Sequence, residues 1–303
     1  MEARLKRILL NQHGRLRNGY WVLIFIALFL LSRVAYTPLS QALQAAGVGK
    51  DALGPLPFVF TLLVTWACTR LRGEPLSSVG LQLDSRWIRQ ALAGTGLGMA
   101  AMLAVTALIS MAGGVRFELD PARSVATLAG GLYIFLFVAL FEELLFRGFV
   151  FQRLVDGIGA PLALAATAVL FALGHGDNPG MEGATQLWAM GDLALGALLF
   201  GLAYLRTGSL ALPVGLHLGW NWMQGHVLGF GVSGVDQPGW LRPLYQTQPQ
   251  WLTGGEFGPE SSVCAVVVDL VAIALLWRWK GTRPAGAFPL QMPALTAAAS
   301  QRT

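Results

Sequence analysis

This chain has little charge. Asp, Glu, Lys and Arg make up 12% of its 303 residues, where soluble domains carry roughly 25%. The deficit excludes an ordinary soluble globular protein. Cysteine is rarer still: Cys68 and Cys264 both lie inside apolar stretches, which excludes a disulfide framework and a CxxC metal site. Polar connections are too short to fold by themselves, and the chain has no internal repeat and no low-complexity tract. The sequence therefore predicts a single membrane domain over residues 1–303.

What is abundant is apolar: 54% of the residues, with a mean hydropathy of +0.57. Runs of about 20 apolar residues, the length that crosses a bilayer, fall at 20–43, 53–71, 87–112, 126–154, 160–175, 187–205, 210–230 and 262–279. They predict an all-α polytopic membrane helix bundle with about eight transmembrane helices. The longest polar segment, 231–261, is rich in Gly, Pro, Gln and Trp and reads as an ordered or half-ordered loop.

Basic residues set the orientation, because Lys and Arg collect on the cytoplasmic side. With the N-terminus inside, the inner segments hold sixteen of them: Arg4, Lys6, Arg7, Arg15, Arg17, Arg70, Arg72, Arg86, Arg89, Arg147, Arg153, Arg206, Arg278, Lys280, Arg283 and Arg302. The outer segments hold four, Lys50, Arg116, Arg123 and Arg242, and Arg33 falls within the first span. Both termini are thus expected in the cytoplasm. The net charge of +5 is explained by this asymmetry, with the lipid bilayer and its anionic headgroups as partner and no nucleic acid. The basic-then-apolar opening lacks a small-residue cleavage site and reads as an uncleaved first helix. Three lysines against eighteen arginines suit a GC-rich bacterium, hence a bacterial inner membrane.

Against this apolar background, Phe141-Glu142-Glu143-Leu144-Leu145-Phe146-Arg147 places two carboxylates and a guanidinium inside a span. Each such charge costs about 2.5–3.5 kcal/mol on insertion scales and therefore faces a protein interior or a wet cavity. Later spans supply partners: His175, His217 and, one turn after His217, Asn221. If the fourth and fifth spans turn near Gly157 and Ile158, Glu142 and His175 each lie roughly 24 Å along their helices from that turn. They can face each other. His217, only about 15 Å beyond its own turn near Gly208, needs helix tilt or a deeper turn to reach the same depth.

Residues four apart share a helix face, so Glu143 can pair with Arg147 while Glu142 points about 100° away. The spacing predicts Glu143 held by Arg147, in a catalytic or a purely structural ion pair, and Glu142 free to handle protons. Asp192 is expected to line the same cavity, and Asp269 to pair with a neighbouring helix. The glycines Gly94, Gly96 and Gly98 read as small residues for close helix packing.

Together these elements, E-E-x-x-x-R (Glu142, Glu143, Arg147), F-x-x-x-H (Phe171, His175) and H-x-x-x-N (His217, Asn221), resemble the CAAX-protease and bacteriocin-processing family of intramembrane endopeptidases. This family is also called Abi and includes the Ras-converting enzymes. The resemblance covers a catalytic motif region at about 126–230. It implies peptide-bond hydrolysis of a membrane-associated peptide or protein, with Glu142 and His175 activating a water and His217 with Asn221 stabilising the oxyanion. Such a division of labour suits amide hydrolysis, which needs a nucleophilic water, oxyanion donors and a proton for the leaving amine. No serine or cysteine stands out as a nucleophile beside either histidine. Metal use stays open: Glu142, His175 and His217 make a three-ligand zinc set with water as the fourth ligand, whereas the lack of H-E-x-x-H favours a metal-independent glutamate and water. Two other readings compete, a proton-coupled transporter using Glu142, Asp192 and the histidines as a relay, and a catalytically silent scaffold or immunity protein. The expected partner is a membrane peptide or protein substrate; its identity and the oligomeric state are not encoded in these motifs.

Overall fold

The computed structural model describes residues 8–11 and 14–283; Arg4, Lys6, Arg7 and Arg302, assigned above to the inner side, lie outside them. Its helices are α1 (Asn18–Ala45), α2 (Pro55–Leu71), α3 (Ser85–Met111), α4 (Val125–Arg147), α5 (Phe149–Ile158), α6 (Ala160–Gly174), α7 (Gly183–Thr207), α8 (Ala211–Trp222) and α9 (Val263–Arg278), with shorter turns between them. The bundle is helical with little sheet, as the apolar runs predict. Among the described residues, five helical stretches are long and apolar enough to cross a membrane: Asn18–Ala45, Asp51–Leu71, Ser85–Met111, Val125–Ile158 and Gly183–Thr207. The helices on the remaining three runs, α6, α8 and α9, are shorter.

Several helix starts are written locally. Asp84, Ser124 and Ser262 accept hydrogen bonds from the amides of Trp87, Thr127 and Ala265 at 2.8, 3.0 and 3.2 Å, filling orphan donors at the first turns of α3, α4 and α9. Pro161 occupies the first turn of α6, where its missing N–H costs nothing. Gly208 ends α7 with φ +66°, a left-handed cap that favours glycine.

The fourth apolar run differs from its sequence reading, for it is two helices. Gly148 leaves the helical region at ψ −128°, and a Cβ there would collide with the Leu144 carbonyl oxygen. The chain restarts as α5, which buries Phe149, Phe151, Arg153 and Val155, and turns into α6 at Gly159.

The tightest crossing joins α3 to α8. A Cβ on Gly94 would lie 2.5 Å from the Leu212 carbonyl oxygen, and one on Gly98, Gly215 or Gly219 would strike the backbone of Leu216, Ala91 or Thr95. Gly94 and Gly98 therefore mesh with Gly215 and Gly219, the small-residue contact that brings membrane helices together. Gly96 takes no part and faces open space. On α8 the glycines at 215 and 219 lie nearly opposite His217, at 200° by helical phase, so the crossing presents His217 and Asn221 toward the other side.

The turn before α8 is itself buried. Leu210 N donates to Gly80 O at 3.1 Å, while Thr282 N and Arg283 N donate to Arg206 O at 3.0 and 3.2 Å. These segments cover the turn, so α8 begins below the surface and His217 gains the depth that its short path from Gly208 withheld.

At the opposite end, β1 (Val115–Leu119) pairs antiparallel with β2 (Leu241–Tyr245), Val115 opposite Tyr245 and Leu119 opposite Leu241. The 231–261 segment is thereby tied across the bundle. It folds through short turns at Gln250–Thr253, Gly255–Phe257 and Pro259–Ser261 and buries Phe257 and Glu260. It is an ordered cap over the helix ends, and it carries charge inward.

Candidate active site

The helical phase of α4 sends its two glutamates to different surroundings. Glu143 faces the interior with Arg147, both wholly buried, and their charges meet at 3.1 Å between Arg147 Nη1 and Glu143 Oε1. A second nitrogen, Arg147 Nη2, donates to the Ala197 carbonyl of α7 at 3.0 Å. The guanidinium lies 5.0 Å from the Phe171 ring centre and 5.3 Å from that of Phe200, within cation–π range. One cation thus joins α4, α6 and α7.

His217 completes this pair. Its Nδ1 lies 3.0 Å from Glu143 Oε1, and its ring stacks on Phe200 with centres 5.1 Å apart and planes 11° from parallel. The contact with Glu143 is a bond the i,i+4 spacing could not show. Beside a carboxylate, Nδ1 is the protonated nitrogen, which leaves Nε2 turned outward.

His175 caps α6 and is oriented by its own helix: Nδ1 lies 2.8 Å from the Phe171 carbonyl oxygen. A carbonyl only accepts, so Nδ1 carries the proton and Nε2 the lone pair. Phe171 therefore acts through its backbone as well as its ring, whose centre is 4.6 Å from that of His175.

Glu142 lies between the two histidines. Its Oε1 is 4.0 Å from His175 Nε2 and its Oε2 is 3.8 Å from His217 Nε2. Both separations exceed direct hydrogen-bond reach and are spanned by a single bridging water. All three residues, with Asn221 one turn beyond His217, line a cavity of ≈ 610 Å³. All seven motif residues are therefore brought together, Glu143 and Arg147 behind the wall and the other five on it.

The far wall of the cavity departs from the sequence reading. Asp192 lines it, as expected. Asp269 does too, where the sequence predicted a pairing with a neighbouring helix, and among the described residues no hydrogen bond or ion pair holds it. Its neighbour on α7 is Gly196, a helical turn after Asp192: a Cβ there would lie 3.7 Å from Asp269 Oδ2. Glu260, unremarked in the sequence, arrives from the 231–261 cap and accepts a hydrogen bond from Ser233 N. Burial pushes the Glu260 carboxyl up from its ordinary range, against the opposing pull of the Ser233 amide. Its only sequence signal is an acidic residue just before an apolar run, which surface loops supply routinely.

Glu142, His175 and His217, the residues named for zinc, meet in this cluster. Among the described residues, however, no three His, Cys, Asp or Glu side chains are arranged to hold a metal ion.

Residues 124–223 match the model of a protein family described as Rce1-like, Type II CAAX prenyl endopeptidase Rce1-like. No curated protein and no solved structure matches the chain. The matched segment holds every residue of the three motifs, from Glu142 to Asn221. On that match the protein is an integral membrane protease, a peptide hydrolase whose Rce1-like segment is of the CAAX-protease and bacteriocin-processing type.

Proposed function

We propose that the chain is an intramembrane endopeptidase in which Glu142 and His175 activate the attacking water while His217 and Asn221 receive the oxyanion. The observation that carries this reading is the placement of the Glu142 carboxylate between two histidine Nε2 atoms, at 4.0 and 3.8 Å, on the wall of a large cavity. A water held by Glu142 and the His175 Nε2 lone pair gives its proton to Glu142 as it attacks the scissile carbonyl. Glu142 then passes that proton to the leaving amine. The carbonyl oxygen, now negative, accepts from the Asn221 side-chain amide and from His217 Nε2. Because Nδ1–H of His217 is committed to Glu143, Nε2 can donate only while the ring carries both protons. Glu143, kept in place by Arg147, acts as the counter-ion of that imidazolium.

Substrates in this reading are membrane-associated peptides or proteins. The cavity extends to Phe29 of α1 and to Ile134 and Val138 of α4, which are only partly buried, so a chain lying in the bilayer can approach from the side. A bacterial inner membrane, with both termini cytoplasmic, belongs to the same reading and rests on the distribution of basic residues.

Glu142→Gln tests the reading, because the amide keeps size and polarity but cannot take the proton. Purified variant, folded and membrane-inserted, is expected to lose on the order of 10²–10⁴-fold in turnover. Peptides that accumulate in cells carrying it would identify natural substrates. Turnover near that of the parent would remove Glu142 from the base role.

A further inference from the structure

The catalytic cavity is lined by four carboxylates, Glu142, Asp192, Glu260 and Asp269, and by no lysine or arginine. Glu142 belongs to the hydrolytic cluster, and Glu260 has the Ser233 amide. Asp192 and Asp269 have neither a hydrogen bond nor a cation among the described residues, although they are 5% and 2% exposed. Oδ1 of Asp192 is fully shielded and has no partner. Two aspartates on facing helices, α7 and α9, therefore present acceptors to a shared space, with their charges acting on each other and on Glu260.

A buried carboxylate that lacks a partner is costly, and in membrane proteins such groups mark the path of something that supplies one. Here the supplier must enter the cavity. Gly196 keeps the space between the two helices open: it lines the cavity, follows Asp192 by one turn, and adds no side chain in front of Asp269 Oδ2. The space also adjoins the chemistry, since Asp192, Glu260 and Asp269 line the same cavity as Glu142 and His175, whose Nε2 lies 4.0 Å from Glu142. A substrate threaded past Glu142 thus sets a side chain close to its scissile bond against Asp192 and Asp269.

We infer that Asp192 and Asp269, with Glu260 behind them, form a specificity subsite for a basic side chain, lysine or arginine, of the peptide being cleaved. The inference rests on the protease reading above and names the substrate class: peptides with a basic residue within a few positions of the cut. A guanidinium fits best, because its planar fork can bond two carboxylates at once. A peptide that placed an acidic side chain or a free C-terminal carboxylate here would meet like charge.

The test uses the full chain purified in lipid nanodiscs and a set of internally quenched, acylated peptides. The peptides differ at one position at a time, carrying arginine, lysine, glutamine or glutamate. For the parent protein, kcat/KM should favour arginine or lysine over glutamine at one position by on the order of 30-fold, with glutamate poorest. In Asp192→Asn/Asp269→Asn that ratio should fall toward one, chiefly through the KM of the basic peptide. If the double variant does not fold, Gly196→Leu, which fills the subsite from α7, should erase the same preference. Glu142-dependent hydrolysis that is indifferent to basic residues at every position overturns the subsite and leaves the protease reading intact, as does a preference that survives both changes. Hydrolysis that is absent, or independent of Glu142, overturns the protease reading itself.

Discussion

Two sets of buried carboxylates flank one cavity, Glu143 behind its wall and Asp192 with Asp269 on it, and among the described residues only the first has a counter-charge. Glu143 is matched by Arg147 at 3.1 Å and by His217 at 3.0 Å, and the cation is in turn fixed to the Ala197 carbonyl. Asp192 and Asp269, across the cavity, have no such partner among the described residues. The difference shows two uses of the same costly group. A paired buried charge fixes geometry, and removing one partner strands the other; an unpaired one is left ready for a charge from outside.

The largest expected effect breaks the paired side. Arg147→Ala strands Glu143 and frees His217, and should lower stability by about 3–5 kcal/mol, read as a lower melting temperature and a reduced yield of folded protein. Arg147→Lys should recover part of that loss, lacking the second nitrogen for Ala197. If both variants were as stable as the parent but inactive, Arg147 would belong to the chemistry and not to its support.

A smaller change separates holding from pairing. Glu143→Gln keeps an acceptor for His217 but removes its counter-ion, so the imidazolium proposed as the oxyanion donor loses support. Turnover should fall by on the order of 100-fold, while stability falls by about 3 kcal/mol, the low end of the cost of stranding a buried partner, because the amide oxygen still accepts from Arg147. Unchanged activity across the pH range would cut the link between Glu143 and the reaction.

The smallest effect has the opposite sign. Asp192→Asn removes an uncompensated acid, and in the unliganded protein it should raise stability by about 0.5–2 kcal/mol, the gain commonly seen when a functional group is neutralised. Differential scanning fluorimetry in detergent measures it. A clear loss would place Asp192 among the paired charges and erase the contrast between the two walls.

How much of this was legible depends on distance along the chain. The Glu143–Arg147 pair and the joint facing of His217 and Asn221 follow from helical spacing alone, and the meeting of Glu142 with His175 follows from path lengths measured from one turn. The break at Gly148 was not legible, since a glycine in an apolar run resembles those at 94 and 98, which leave α3 unbroken. Asp269 was singled out, but its place on the wall follows from α9 lying beside Gly196 of α7, which spacing along the chain does not report. Glu260 was missed for another reason: its place on the cavity wall depends on the cap at 231–261 folding back, which in turn depends on β1 pairing with a strand more than a hundred residues away. Nothing near Glu260 in the sequence reports that contact.

The glycine crossing also bears on what counts as the smallest working unit. Residues 124–223 hold all seven motif side chains, yet Gly215 and Gly219 of α8 rest on Gly94 and Gly98 of α3, outside that stretch. A fragment trimmed to the matched residues would keep the reactive groups and lose the surface that aims two of them. Inserting these motifs into another helical scaffold would fail in the same way unless a partner helix with small residues one turn apart came with them. The aim of His217 and Asn221 is thus a property of a helix pair, half of it written in a segment that carries none of the chemistry.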